Sequence, residues 1–159
     1  ATGKKGGPQH KVMCGPGLDT RVSQQQMNRA AAEMYAKWRE EECDCELYRT
    51  EDAEIIVTSY GISGRIAKSA VNILRGEGIR AGLIRPITIS PFPYAWFEKL
   101  GSHVKYVIDV EMSVPAEMVL DVRVGVQGRF PIEEVTTAGG FILKGSDVKS
   151  KIRALAERK

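Results

Sequence analysis

Residues 52–93 read DAEIIVTSYGISGRIAKSAVNILRGEGIRAGLIRPITISPFP, and this stretch decides the fold. Its opening, EIIVTSY (54–60), is a short β-rich apolar run without alternation, the pattern of a strand buried on both faces. Past Gly61 the period changes. Ile66, Ala67, Ala70, Val71, Ile73 and Leu74 recur at helical spacing, with Ser63 placed to cap that helix and Gly76 and Gly78 placed to end it. AGLI (81–84) is a second strand. It runs into Arg85-Pro86, and prolines at 86, 91 and 93 stop regular structure before the aromatic YAWF of 94–97. Strand, helix and strand at this spacing make a right-handed crossover between parallel strands.

The pattern continues downstream. YAWFEKL (94–100) is a short helix and VKYVIDV (104–110) a third strand. Pro115 opens a helix with Val119, Val122 and Val126 on one side, and IEEVT (132–136) is a weaker fourth strand. The tail SDVKSKIRALAERK (146–159) closes with a helix presenting Val148, Ile152, Leu155 and Ala156. The predicted fold class is α/β, a three-layer α/β/α sandwich with a mostly parallel sheet. In such sheets ligands and partners sit beyond the carboxyl ends of the strands, which puts YGISG, RPITISPFP and EMSVPAE along one edge.

Upstream, residues 1–22 are rich in Gly and Pro and read as an extended arm, and residues 23–45 as a preceding helix. In that helix Met27, Ala30, Ala31, Met34, Tyr35 and Trp38 share one face, Ser23 is a plausible N-cap, and the stripe predicts packing on the main body or on a partner. Residues 46–159 form the α/β domain.

Composition narrows the function classes. A chain of 159 residues with 43% hydrophobic and 27% charged residues reads as one globular domain. A net charge of +3, without basic runs carrying interleaved aromatics, argues against nucleic acid. No apolar run reaches the roughly 20 residues that span a bilayer, so no membrane is expected. Three cysteines give no disulfide framework, and the cytoplasm is the expected compartment.

Each motif with possible chemistry meets a plainer reading. TSYGISGRIAK lacks the second glycine of a nucleophile elbow, and His10 and His103 are poorly placed as a triad base. The same run does not supply a dinucleotide fingerprint. Gly61, Ser63, Gly64 and Arg65 are the anion-binding candidates: helix amides and the Arg65 guanidinium suit a phosphate or carboxylate. The plainer reading is a tight βα turn around a capping serine. Cys43 and Cys45 stand two apart with no second pair at zinc spacing, so they read as an incidental pair at a helix end and no metal site is expected. Asp109 and Glu111 point to one face at a strand end, a spacing suited to acid–base work but also to capping or ion pairing. No P-loop, no four-cysteine cluster motif and no GDG motif of thiamine-diphosphate sites is present, and no residue is assigned a catalytic role.

Taken together, Asp52-Ala53, Tyr60-Gly61, Arg65-Ile66-Ala67, the run Gly82 to Thr88 and Pro91-Phe92-Pro93 resemble the transketolase C-terminal-like domain of 2-oxoacid:ferredoxin oxidoreductase alpha subunits, of the 2-oxoglutarate and 2-ketoisovalerate type. VIDVEMSVPAEMVLDVR (107–123) and GRFPIEEVTTAGGFI (128–142) extend the likeness, with a weaker echo in GPGLD (15–19). Ser113 stands where the family carries Asn, Ala116-Glu117 where it carries Gly-Gln, and no His-Asp-Glu run follows Gly17-Leu18. The resemblance implies an oxidoreductase converting a 2-oxo acid and coenzyme A to acyl-CoA and CO2, with electrons passing through iron–sulfur clusters to ferredoxin. It implies a non-catalytic assembly domain, inactive alone. Thiamine diphosphate, Mg and iron–sulfur clusters would lie elsewhere in the complex. The partners would be the remaining alpha-subunit domain and beta-, gamma- and delta-type subunits, with ferredoxin and coenzyme A at the level of the complex. Arg85, Pro86, Phe92 and Glu111 are the interface candidates; the plainer reading is that Arg85 caps its own sheet edge and Phe92 fills the core. A freestanding α/β module binding a phosphorylated or carboxylate ligand at the Gly61–Arg65 turn is the alternative.

Overall fold

A computed structural model describes residues 20–158, with side chains from residue 23 onward. The arm expected over 1–22, with His10, Cys14 and GPGLD, lies almost wholly outside the described residues. The chain divides into two compact units, residues 1–37 and 38–159.

Helix α1 (Thr20–Glu41) starts before Ser23, so that serine lies within its first turns and is not its N-cap. Gln24 Nε2 donates to Asn28 Oδ1 one turn later, at 3.0 Å. Met27, Met34, Tyr35 and Trp38 of the apolar stripe remain exposed.

The larger unit is a five-stranded sheet: β1 (Cys45–Tyr48), β2 (Ile55–Thr58), β3 (Ala81–Pro86), β4 (Tyr106–Glu111) and β5 (Ile132–Thr136), in the order β1-β3-β2-β4-β5. The last four strands are parallel, while β1 runs antiparallel along β3, pairing Cys45 with Pro86 and Glu46 with Arg85. Strand β1 corrects the expectation for 43–45: the helix ends at Glu41, and Cys45 opens an edge strand. Its four residues, CELY, alternate too briefly to signal a strand, and their partner lies about forty residues away.

Four helices cover the sheet: α2 (Gly61–Gly76), α3 (Tyr94–Glu98), α4 (Met118–Val126) and α5 (Gly145–Ala156). Helix α2 buries Ala67, Ala70, Val71 and Leu74, while Ile66 is half-buried and Ile73 exposed. It ends where Gly78 takes φ +84° and the Ile79 N–H donates to the Leu74 carbonyl at 3.0 Å, a conformation suited to glycine. Helix α4 begins three residues after Pro115, because 112–117 is held as a turn by Glu111 below it. In α5, Val148, Ile152 and Leu155 are buried and Ala156 faces out.

Two apolar layers result. Ile55, Val57, Leu83, Ile108 and Val110 pack with α2 and α5. Ile56, Ile84 and Val107 pack with Phe92 and Phe97 near α3 and with Met118, Val122 and Val126 of α4. Alternate residues of one strand thus feed opposite layers, which is why these strands read as continuous apolar runs. Each fully buried aliphatic or aromatic side chain contributes roughly 1.5–3 kcal/mol relative to exposure. At Gly82 the sheet leaves no room for a side chain: a Cβ there would lie 2.5 Å from the Arg49 carbonyl oxygen and 2.9 Å from Ala53 Cβ.

Candidate functional site

Strands β2 and β4 are neighbours, yet β2 leads into α2 on one face and β4 into α4 on the other. Their carboxyl ends therefore flank the point where the chain parts, the position at which an open α/β sheet forms a ligand crevice. Thr58, Asp109 and Glu111 lie there, fully buried, with Thr58 and Asp109 opposite each other in register. All three point toward the α3/α4 layer, by alternation from Ile56 and Val107.

The crevice is spent on internal structure. Glu111 Oε2 accepts from Ser113 Oγ at 2.8 Å and from the Glu117 N–H at 3.2 Å, and Oε1 accepts from the Val119 N–H at 3.2 Å. It thereby receives amides at the start of α4, for which no N-cap side chain serves. Ser59 Oγ donates to the Val110 carbonyl at 2.7 Å and ties β2 to β4. Neither Asp109 oxygen, nor Thr58 Oγ1, has a hydrogen-bond partner as an ionised or neutral acceptor among the described residues. Burial, and then the Glu111 carboxylate beside it, push the Asp109 carboxyl up to about 9. Asp109 is therefore a neutral acid at neutral pH, with a proton to offer Glu111. Burial alone would raise Glu111 as well, but that proton, Ser113 and the α4 amides outweigh it and hold Glu111 below the ordinary carboxylate range. Burial, with Glu111, Glu117 and Asp109 nearby, raises the Tyr60 phenol.

The four anion-binding candidates do not converge. Gly61, at φ +55°, turns the chain into α2, whose N-cap is Tyr60. Ser63 is not the cap: it is buried inside the first turn, where its Oγ donates back to the Tyr60 carbonyl at 2.8 Å. Gly64 is pressed against Arg85, and a Cβ there would lie 2.9 Å from Arg85 Nε. Arg65 is exposed and lines, with Ile66, Ser69, Ile73, Ser146 and Lys149, a cleft of about 350 Å³ between α2 and α5.

The interface candidates are turned inward. Arg85 Nη1 donates to Glu46 Oε2 across β1 and β3 at 3.0 Å, and Lys68 pairs with the other Glu46 oxygen. Lys68, and then Arg85, keep the Glu46 carboxylate below its ordinary range despite partial burial. Pro86 is buried. Phe92 is buried against Tyr94 and Phe97, with ring centroids 5.0 and 5.4 Å away. Glu111 is the internal cap just described. Shape and alternation send these four side chains into the domain. Within RPITISPFP the outward apolar residues are Ile87 and Ile89, which the sequence does not single out because they lie among turn formers.

Among the described residues no group of three or more His, Cys, Asp and Glu could hold a metal ion. Burial, with Asp44 and Cys43 adding to it, pushes the Cys45 thiol up to about 12, so it stays protonated and is a poor ligand. Cys43 Sγ lies 3.7 Å from the Pro91 carbonyl oxygen. His103 sits by Gly101 at the amino edge, away from the switch point. No helix among the described residues is long and apolar enough to cross a membrane.

A mixed, mostly parallel five-stranded sheet with this switch point and two helices per face is a transketolase C-terminal-like α/β domain. The chain belongs to the family of pyruvate:ferredoxin oxidoreductase core domain II, whose family model matches residues 53–150. It is 42% identical over 124 residues to the ketoisovalerate oxidoreductase subunit VorB of Methanothermobacter marburgensis, covering 78% of this chain and 35% of that one. Its fold is similar to that of a 2-oxoglutarate:ferredoxin oxidoreductase from Magnetococcus marinus, solved with 2-oxoglutarate, coenzyme A and succinyl-CoA bound. The TM-score is 0.70 at 16% identity, over 96% of this chain and 28% of that one. A split-gene transketolase, solved as an inactive beta4 tetramer, shares the fold with a TM-score of 0.59 at 18% identity, over 70% of this chain and 40% of that one. The chain thus spans about a third of the length of the VorB relative.

Proposed function

We propose that this domain is an assembly part of the alpha subunit of a 2-oxoacid:ferredoxin oxidoreductase, and that it carries no catalytic residue of its own. The observation behind this reading lies at the switch point. At the place where this fold ordinarily seats a ligand the polar side chains are engaged within the chain, Glu111 capping α4 and Ser59 bonded to Val110. The complete enzyme would oxidise and decarboxylate a 2-oxo acid with coenzyme A, releasing acyl-CoA and CO2 and passing electrons to ferredoxin. Thiamine diphosphate, Mg and iron–sulfur clusters would be held by the remaining alpha-subunit domain and by beta-, gamma- and delta-type subunits, in the cytoplasm. Relatedness to ketoisovalerate oxidoreductase subunit VorB favours a branched-chain 2-oxo acid as substrate.

Reconstitution tests the reading. The chain, mixed with companion alpha and beta segments, should restore 2-oxo-acid-dependent reduction of a dye acceptor and show no activity alone. Activity from the companions alone, or from this chain alone, would refute it.

A second reading has one observation in its favour. Arg65 and Lys149 border the α2–α5 cleft over an apolar floor, a setting for a ligand with a phosphate or carboxylate. Calorimetric titration with ADP should detect that binding in wild type, and Arg65→Ala should abolish it.

A further inference from the structure

The four segments that leave the carboxyl ends of β2, β3, β4 and β5 differ in chemistry from the opposite edge. Residues 59–64, 87–93, 112–117 and 137–144 contain two charged residues, Glu117 and Lys144. The amino-edge segments 51–54, 77–80, 99–105 and 127–131 are shorter in total and contain eight. There, charge is paired in the open: Glu54 bridges Arg80 and Lys105, and Glu77 binds Arg153.

At the carboxyl edge the outward side chains are apolar. Phe141 is 76% and Ile142 72% exposed, Ile62 and Val114 are close behind, and Ile87 and Ile89 are about half exposed. They come from the first turn of α2 and from three loops, and the parallel order of the strands brings these to one edge. An apolar patch assembled from several loops marks a contact surface, whereas single exposed apolar residues are ordinary.

These loops are also held in shape. Glu111 fastens 112–117 from beneath through Ser113 Oγ and the Glu117 amide. The Asp44 carbonyl accepts from the Ile87 and Thr88 amides at 3.0 and 3.2 Å. Pro91, Pro93 and Pro115 restrict the chain further. A surface already ordered before contact loses little entropy on docking.

We infer that the carboxyl edge of the sheet seats this domain against an uncharged, apolar protein face belonging to the rest of the enzyme, an inference that rests on the assembly reading above. Charge complementarity selects that occupant. A basic or acidic partner would find few charges to answer it: Glu117 and Lys144 in the four segments, with Asp44 and, in the first turns of α2 and α5, Arg65 and Asp147 at the margin. A protein face is also suited to the polar groups among the apolar ones, such as Thr88 and Thr137, because it can return hydrogen bonds that lipid tails cannot. The relatives supply the setting: in VorB the matching segment is 35% of the length, so most of that polypeptide lies outside it.

The test is co-expression of the tagged full chain with the companion segments, read by size exclusion and native mass spectrometry. The variants are Val114→Glu with Phe141→Asp on the carboxyl edge and Ser102→Glu on the amino edge. Thermal unfolding confirms that each variant is folded, and Val114→Thr with Phe141→Ser takes the acidic pair's place if that pair unfolds. Wild type and Ser102→Glu should co-elute with the companions, and the carboxyl-edge pair should bind them at least about tenfold more weakly, since each buried charge costs more than 1.4 kcal/mol. If the pair assembles as wild type does, the edge is not the contact, although the assembly reading stands. If wild type itself does not co-elute, both fall. Two other results would also overturn the assignment. One is self-association of the chain that the pair abolishes while companion binding persists. The other is flotation of wild type with phosphatidylcholine vesicles that the pair abolishes while companion binding persists.

Discussion

Asp109 and Glu111 stand two residues apart on one face of β4, both fully buried, one raised in pKa and the other lowered. The proton on Asp109 lets the Glu111 charge exist in the interior, and that charge holds the start of α4. The arrangement converts a costly pair of buried acids into a single negative group satisfied by a hydroxyl and two amides.

The pair predicts a pH dependence of stability. Asp109 has a folded pKa of about 9, above the ordinary 3.8 of an aspartate. Its contribution is therefore complete below that ordinary value and is lost as the pH climbs toward about 9. Glu111, lowered when folded, has the opposite sign and adds stability above its ordinary value of 4.5 that is lost in acid. Urea denaturation across pH 5 to 9 should show falling midpoints. Asp109→Asn, which keeps a donor for Glu111 without a titrating proton, should flatten that slope. A wild-type midpoint that rises with pH over this range would contradict the assignment.

Gly82 and Gly76 predict opposite responses to one extra methyl group. At Gly82 the new Cβ meets a carbonyl oxygen at 2.5 Å, whereas at Gly76 nothing lies within 4 Å and φ is not left-handed. Gly82→Ala should destabilise by roughly 1–3 kcal/mol through overpacking. Gly76→Ala should be neutral or slightly stabilising, because alanine favours the helix. Thermal melts of the two variants side by side decide it.

Arg129 predicts a cost that its exposure hides. Its guanidinium donates to the carbonyls of Val126, Leu100 and Phe97 at 3.1, 2.9 and 2.7 Å, gathering the ends of α3 and α4. Those carbonyls lie at helix termini, where the backbone has no partner of its own. Arg129→Ala should lower stability by about 2 kcal/mol, and Arg129→Lys should recover only part, because one ammonium cannot reproduce a planar fork of donors. Chemical denaturation of both variants measures the split.

Cys45 predicts a silent thiol. With its pKa pushed up to about 12, the thiolate is scarce at pH 8, and the side chain is partly buried as well. Iodoacetamide at that pH should leave Cys45 unmodified in the folded chain and alkylate it readily in urea, as read by peptide mass mapping. Rapid native labelling would show that the site is more open than its packing implies.

Much of the fold could be read residue by residue, because the parallel strands and their helices carry local signals. Ile55 to Thr58, Leu74 and Val122 sit where the apolar periods put them. Strand β1 carried no such signal. Its four residues become a strand only because Arg85 faces Glu46 and because the Asp44 carbonyl receives the Ile87 and Thr88 amides, contacts about forty residues apart.

The candidate site was legible as residue types and illegible as roles. Asp109 and Glu111 stood out at a strand end, but burial made one a neutral acid and the other a cap for α4. Arg85 looked like a donor offered to a partner, yet β1 supplied Glu46 from within the chain. By itself, then, the sequence determined the α/β class, the parallel strands and the family likeness, since each rests on hydrophobic period and on residues close together in the chain. The tertiary structure alone decided which carboxylates are charged, which prolines and arginines face inward, and which loops share one apolar edge. Those outcomes depend on dielectric surroundings and strand order, quantities that no local stretch of sequence contains.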